Sequence, residues 1–107
     1  INDDLFLRSK VTVVKGFFED SLKNYRGDCI SLLNLDVDLY ASYKICLETL
    51  FPKVSLGGII TFDEYVRESF AFPGAMRAIN EYFQDKKIDF VKDKYYGKFY
   101  VIKKDSC

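Results

Sequence analysis

Histidine is missing from all 107 residues of the sequence, and this absence excludes several kinds of catalytic site. No Ser-His-Asp triad, Cys-His pair or histidine-ligated metal can be built from this chain. Acid–base chemistry near neutral pH therefore falls to carboxylates, lysine, tyrosine or cysteine. A metal ion held by carboxylates alone would be a hard cation such as Mg²⁺, Mn²⁺ or Ca²⁺.

An excess of charge of either sign is also missing. Lysine and arginine total 16, aspartate and glutamate total 16, and the calculated pI is near 6.4. This balance provides no overall field that would attract nucleic acid or a membrane surface, so we expect neither as a partner. The sequence has no apolar run of membrane-spanning length and no recognisable signal peptide, which favours a cytoplasmic protein.

Cysteine is scarce, and its three positions do not have the spacing of a zinc site. Cys29 lies beside a strand pattern and Cys46 lies within a helical pattern. We therefore expect reduced, buried thiols, as is typical of a cytoplasmic protein. A disulfide between Cys29 and Cys46 is the alternative.

Apolar residues are abundant, and their number indicates how large a core the chain can form. Hydrophobic residues make up 49% of the chain and aromatic residues make up 17%. This composition is typical of a globular protein, and the length suffices for one core. We therefore expect residues 1–107 to belong to a single domain.

Strand and helix patterns alternate along the chain. Strands are predicted at residues 11–16 (VTVVKG), 29–36 (CISLLNLD) and 58–63 (GIITFD), and helices at residues 17–25, 39–51 and 73–83. The apolar run 29–36 is typical of a strand covered on both faces. KIDFVKD and KFYVIKKD predict a final antiparallel hairpin. The order predicts an α/β fold with a mostly parallel sheet and a C-terminal antiparallel hairpin.

Acidic residues follow two of the predicted strands. Asp36 and Asp38 come after the second strand, and Asp63 and Glu64 come after the third. Ligands of parallel sheets bind at the carboxyl ends of strands, and neighbouring strands lie about 5 Å apart. If these strands are neighbours, Asp36, Asp63 and Glu64 can converge on a divalent cation, which relieves their repulsion. Asp38 could then accept the proton of a hydroxyl bound to that cation.

The same acids have other interpretations. Asp38 could simply cap the helix that follows it, and Asp63 and Glu64 could be solvated loop residues. Receiver-like and phosphatase-like phosphoryl-transfer domains also place acids around Mg²⁺ at strand ends, and Asp36 or Asp38 would then be phosphorylated. Those folds usually need a lysine or hydroxyl at a further strand end, and the sequence indicates no convincing partner. A third alternative is a non-catalytic remnant that forms a homo-oligomer through exposed sheet edges.

Three segments resemble the macrocin/TylF-like O-methyltransferases, which are class I S-adenosylmethionine-dependent enzymes that methylate sugar hydroxyls. These segments are VTVVKGFFEDSL, LLNLDVDLYASYKICLETLFPKVSLGGIITFDEY and FPGAMRAINEYF. The resemblance implies a Rossmann-like fold, S-adenosylmethionine and Mg²⁺ as cofactors, and a small-molecule acceptor with a sugar-like or other vicinal-diol hydroxyl. The mechanism that it implies is direct SN2 transfer of a methyl group to an acceptor oxygen.

The resemblance also implies roles for individual residues. Asp36, Asp63 and Glu64 match the Mg²⁺ ligands of the family, with Glu64 at a position where aspartate is more usual. Asp38 matches the proposed general base. The cofactor-binding segment, which lies along the adenine, contains Gly16, Phe17, Phe18 and Glu19. Phe18 stands where catechol-type relatives have a polar residue, so its contact with adenine would be stacking.

Two features of these enzymes have no counterpart in the sequence. One is the first strand with its glycine-rich turn, and the other is the strand whose terminal acid binds the ribose hydroxyls. Gly57 and Gly58 instead form a helix-to-strand turn by their position. We therefore expect the C-terminal half of a class I methyltransferase fold, whether from a truncated gene, a fragment or a chain completed by another chain. We expect these 107 residues alone to bind the cofactor poorly and not to turn over.

Overall fold

The computed structural model describes residues 9–65 and 72–107. The described residues contain a four-stranded sheet with the order β1-β2-β4-β3. The strands are β1 (Ile30–Leu35), β2 (Val54–Phe62), β3 (Phe90–Lys92) and β4 (Phe99–Ile102). The helices are α1 (Phe18–Ser21), α2 (Tyr40–Leu50) and α3 (Pro73–Phe83), and short 3₁₀ turns span Leu22–Asn24 and Phe51–Lys53. None of the described helices is long and apolar enough to cross a membrane.

The strand pairing confirms the predicted α/β class with its C-terminal antiparallel hairpin. The strands β1 and β2 pair in parallel, with Leu35 opposite Phe62, because α2 carries the chain back between them. The strand β4 pairs antiparallel with both β2 and β3. The carboxyl ends of β1 and β2 therefore lie at one edge of the sheet, beside the amino end of β4.

Two helices pack against one face of this sheet. The stripe of α2 that faces the core contains Tyr43, Cys46 and Leu47. Proline at the first position of α3 has a backbone conformation that suits a helix start, as predicted. The buried residues of α3 are Ala75, Ala78, Ile79 and Phe83, and they join one core with β1, β2 and β4.

The opposite face of the sheet is not covered by any described element. We expected the apolar run of β1 to be buried on both faces, and in the described residues this is wrong. Leu33 and Leu35 are buried, whereas the side chain of Leu32 is 62% exposed. Ile59 and Ile102 are also exposed on their strands. The physical reason is that α2 and α3 lie on the same side.

The first predicted strand is not formed. Residues 11–15 do not form a strand, and Val13 is 88% exposed. A β-branched run favours extended backbone, but a strand also needs a neighbouring strand to receive its hydrogen bonds. No described strand pairs with this run.

The expectation for the cysteines is only partly correct. Cys46 is buried and free, as predicted. Cys29 is exposed and forms a disulfide with Cys107, so both a reduced Cys29 and a Cys29–Cys46 bridge are wrong. The Gly57 N–H donates to the Lys103 carbonyl and the Lys103 N–H donates to the Gly58 carbonyl. These two bonds extend the pairing beyond β4 and bring the C-terminal residues close to the start of β1. The sequence separation of 78 residues conceals this proximity.

The predicted glycine turn lies inside β2 as a bulge. The register with β1 shifts between Ile30 and Leu32, where the four residues 55–58 of β2 lie opposite the single residue Ser31 of β1. Gly57 has a φ of +82°, which a glycine adopts without strain. A Cβ on Gly58 would lie 2.6 Å from Cγ1 of Val54 and 2.9 Å from the Ser55 carbonyl oxygen. Gly58 is therefore required by close packing.

We expect Gly58→Ala to destabilise the protein by about 2 kcal/mol and to lower the melting temperature by roughly 10 °C, because the new methyl group has no space. Thermal unfolding followed by circular dichroism measures this shift. Gly57→Asn is the matched control, since asparagine tolerates positive φ and this site is open. A Gly58→Ala variant as stable as the control would contradict the bulge packing.

Candidate functional site

Three acids meet at the carboxyl ends of β1 and β2. Asp36 and Asp38 follow β1, Glu64 follows β2, and one carboxylate oxygen of each lies within 4.8 Å of the others. The backbone N–H of Asp63 donates to the Leu35 carbonyl at 2.9 Å, which holds the two strand ends together. We call Asp36, Asp38 and Glu64 the acidic cluster.

Glu64 is the buried member of the acidic cluster, with only 4% of its surface exposed. Its Oε1 accepts a hydrogen bond from the Asp38 backbone N–H at 2.9 Å and another from the Tyr43 hydroxyl at 2.7 Å. Its Oε2 is buried and has no hydrogen-bond partner. A buried carboxylate oxygen without a partner costs free energy, so this atom is suited to bind a cation.

The surroundings of Glu64 favour its protonated form in the absence of a cation. The pKa of Glu64 is raised to about 7, mainly by burial and to a smaller extent by the neighbouring carboxylates of Asp63 and Asp36. The hydrogen bonds from Asp38 and Tyr43 act in the opposite direction and lower this pKa. A hard divalent cation would favour the ionised form, because its charge offsets both the burial and the repulsion.

Asp38 does not cap the helix α2, so that interpretation is wrong. The N-cap residue is Leu39, and it has no side-chain capping bond. Asp38 has a φ of +61°, a conformation that aspartate tolerates better than most residues. In this conformation its backbone N–H bonds Glu64, while its exposed carboxylate belongs to the acidic cluster.

Asp63 lies next to the acidic cluster but is held by a lysine. The Lys98 amine lies 3.0 Å from Oδ1 of Asp63, and both side chains are about half exposed. Lys98 lowers the pKa of Asp63 more than any other neighbour does. Of the predicted set of Asp36, Asp63 and Glu64, the structure therefore places only Asp36 and Glu64 in the acidic cluster. The third member of the cluster is Asp38.

The predicted cofactor-binding segment lies on the surface. Gly16 has a φ of +137°, which favours glycine, and Phe17 is 79% exposed. Phe18 is half-buried and packs against the core, and Glu19 is exposed in the first turn of α1. An adenine placed on these residues would be covered on one side only by the described chain, so they form at most one wall of a cofactor site.

Two functional candidates were missed in the sequence. Tyr43 is fully buried, and its hydroxyl lies 3.0 Å from the Leu35 carbonyl oxygen as well as near Glu64. Its signal was a hydroxyl within an otherwise apolar helical stripe. Lys98 comes from the hairpin, 35 positions after Asp63, and no local pattern links the two residues.

We expect Tyr43→Phe to reduce the free energy of unfolding by about 1–2 kcal/mol, because the buried Oε1 of Glu64 loses the Tyr43 hydroxyl as a hydrogen-bond donor. The loss should be larger at pH 8 than at pH 5.5, since a hydrogen bond to an ionised carboxylate is stronger. Urea unfolding measures both values. Tyr40→Phe is the control, since it removes a bond to Glu81 on the exposed surface of the same helix. Equal losses of stability in the two variants would contradict a stabilising hydrogen bond from Tyr43 to the buried Glu64.

We expect Glu64→Gln to stabilise the protein at pH 8 in chelator. The raised pKa of Glu64 means that its contribution to stability is fully present below its unfolded pKa and is lost as the pH rises through about 7. Glutamine keeps the Oε1 acceptor and removes the charge. Melting temperatures at pH 5 and pH 8 test this, and an advantage for glutamine that does not increase with pH would contradict it.

Comparisons with known proteins agree on one family. The sequence profile of the family described as Macrocin-O-methyltransferase (TylF) matches residues 4–94. The Demethyldecarbamoylnovobiocin O-methyltransferase of Streptomyces niveus is 37% identical over 81 residues, which are 76% of this chain and 29% of that protein. The 8-demethyl-8-(2,3-dimethoxy-alpha-L-rhamnosyl)-tetracenomycin-C 4'-O-methyltransferase of Streptomyces olivaceus is 36% identical over 59 residues, which are 55% and 23% of the two chains.

Solved structures give the same result at the level of the fold. The O-methyltransferase NovP superposes with a TM-score of 0.73 and 26% identity, over 94% of this chain and 43% of that one. CalS11, a TDP-rhamnose 3'-O-methyltransferase of calicheamicin biosynthesis, superposes with a TM-score of 0.74 and 24% identity, over 96% and 47%. The chain thus spans less than half the length of these proteins. The family match covers most of the sequence, and the chain therefore belongs to the macrocin O-methyltransferase (TylF) family.

Proposed function

We propose that this chain carries the catalytic acids of an S-adenosylmethionine-dependent, Mg²⁺-assisted O-methyltransferase. The observation that carries the proposal is the acidic cluster, in which the buried Glu64 has an unpartnered oxygen beside Asp36 and Asp38. Family membership supports methyl transfer as the reaction type. This chain spans less than half the length of its relatives, so the complete activity would also require the rest of the fold.

The acceptor in this proposal is a hydroxyl of a sugar or of another vicinal diol. The names of the relatives support a small-molecule acceptor, since one acts on a rhamnosyl tetracenomycin and a structural neighbour acts on TDP-rhamnose. A vicinal diol also suits the site, because two adjacent oxygens can approach one cation at an open edge of the sheet.

The residues divide into those that hold a cation and one that accepts a proton. Asp36 and Glu64 would hold Mg²⁺, with Asp63 as a further ligand, and the ion would neutralise charge on the acceptor oxygens when bound. Tyr43 and the Asp38 backbone fix one oxygen of Glu64, so its other oxygen keeps a defined position. Asp38 would take the proton of the acceptor hydroxyl, because its carboxylate is exposed beside the other two acids.

The cofactor would supply the methyl group, and Gly16, Phe17, Phe18 and Glu19 would provide one wall for its adenine. Phe17 is the ring that faces solvent, so stacking falls mainly to Phe17, while Phe18 anchors the segment on the core. Gly16 permits the backbone conformation that leads into α1. Residues outside the described chain would complete this pocket.

Phosphoryl transfer is the second candidate, and one observation favours it. Such a site usually needs a lysine or hydroxyl, for which the sequence indicated no convincing candidate, yet Lys98 contacts Asp63 at the end of β2. Family membership argues against phosphoryl transfer, since the relatives are named as methyltransferases. Labelling with acetyl phosphate distinguishes the two candidates, and we expect no stable incorporation at Asp36 or Asp38.

We expect a chimera to methylate its acceptor when this chain replaces the matching segment of the Streptomyces niveus enzyme. Transfer of tritium from labelled S-adenosylmethionine measures the activity, and the 107-residue chain alone should show none. Asp38→Asn in the chimera should reduce kcat at least 100-fold, since the proton acceptor is lost while the backbone conformation is tolerated.

Asp89→Asn is the control for the chimera, because Asp89 is an exposed acid that pairs with Lys104 and lies outside the acidic cluster. This variant should retain full activity. A folded chimera in which Asp38→Asn turns over as fast as Asp89→Asn would contradict the role of Asp38.

A further inference from the structure

The lysine beside the acidic cluster is placed there by the register of the sheet. Phe99 pairs with Phe62, so the preceding residue, Lys98, lies next to Asp63. The Lys98 amine donates to Oδ1 of Asp63 at 3.0 Å and to the Asp63 backbone carbonyl at 3.2 Å. The position of this amine therefore follows from β-strand pairing as well as from attraction between opposite charges.

The charge at this edge of the sheet requires a counter-ion. Asp63 adds a fourth carboxylate beside the three of the acidic cluster, because its backbone N–H pairs with the carbonyl of Leu35, the residue before Asp36. Carboxylates at such short separations repel one another, and a lysine amine offsets part of that repulsion. The side chain of Lys98 is 51% exposed, so moving its amine fully into solvent changes its solvation free energy little.

We propose that Lys98 is an internal counter-ion that competes with the divalent cation for Asp63. The inference rests on the proposed cation site and adds a regulatory residue to it. Without the cation, the amine neutralises Asp63. When the cation binds, Asp63 is released toward it and the amine moves into solvent. Lys98 thereby sets how tightly the site holds its cation.

A positioning role for Lys98 makes the opposite prediction. If the amine mainly orients Asp63 toward the cation, its removal should weaken binding. If the amine mainly competes with the cation, its removal should strengthen binding, because a like charge near the site is lost and Asp63 becomes available. The sign of the change in affinity therefore separates the two roles. A half-exposed ion pair contributes little to stability, so the substitution should leave the fold intact.

Titration with Mn²⁺ followed by electron paramagnetic resonance measures the affinity directly on the 107-residue chain. We expect Lys98→Met to bind Mn²⁺ about three- to tenfold more tightly than the wild type at low ionic strength. Lys98→Arg keeps the charge and should stay within about twofold of the wild type. Circular dichroism spectra and melting temperatures check that each variant is folded.

Lys104→Met is the matched control. It removes the same charge from an exposed ion pair, with Asp89 at 3.4 Å, and Lys104 lies beyond the opposite end of β4. Its affinity for Mn²⁺ should equal that of the wild type. If the wild type binds Mn²⁺ and Lys98→Met binds it equally or more weakly, the proposed competition by Lys98 is wrong, whereas the cation site stands. A wild type that binds no Mn²⁺ overturns the proposed cation site and this inference together.

Discussion

Two hydrogen bonds to a single oxygen of Glu64 organise the candidate site. The donors come from different elements, since the Asp38 backbone follows β1 and Tyr43 belongs to α2. Together they fix a buried carboxylate and leave its second oxygen without a protein partner. Because a buried ionised oxygen in this state is costly, burial raises the pKa of Glu64. Under the proposed function, a bound cation would offset the same cost.

The parallel pairing of β1 and β2 makes those two bonds possible. It places Asp36 and Glu64 at one edge, and α2 then begins close enough for Tyr43 to reach Glu64. Both helices of the core lie on one side, so the other face of the sheet presents Leu32 to solvent. The described residues therefore supply the acids and the core beneath them. No described residue covers the ring of Phe17, which is 79% exposed.

Local patterns in the sequence were enough to predict the elements that depend on local chemistry. The β1 run, the final hairpin and the start of α3 at Pro73 all follow from periodicity and from proline geometry. The strand predicted at residues 11–16 failed because pairing depends on a partner that no local pattern reveals. The disulfide between Cys29 and Cys107 was missed for the same reason, since strand order alone brings distant residues together.

The acids were predictable as a group, but their arrangement was not. Strand ends identified all four candidates, whereas the positive φ of Asp38 decided that its N–H would hold Glu64 and that its side chain would join the cluster. Lys98 then engages Asp63 from a hairpin that follows much later in the chain. Resemblance to the family suggested roles for these residues, and physical contacts indicate which of them can act together.

Paramagnetic broadening by Mn²⁺ in a ¹⁵N-labelled sample tests most directly whether Glu64 and its neighbours bind a divalent cation. At substoichiometric Mn²⁺, the amide signals of Asp36, Asp38 and Glu64 should broaden first, and an excess of Mg²⁺ should restore them. The signals of Lys103 to Ser106, near the other end of β4, should remain sharp. Uniform broadening, or broadening that begins at the exposed acids Asp85 and Asp89, would contradict a cation site at the acidic cluster.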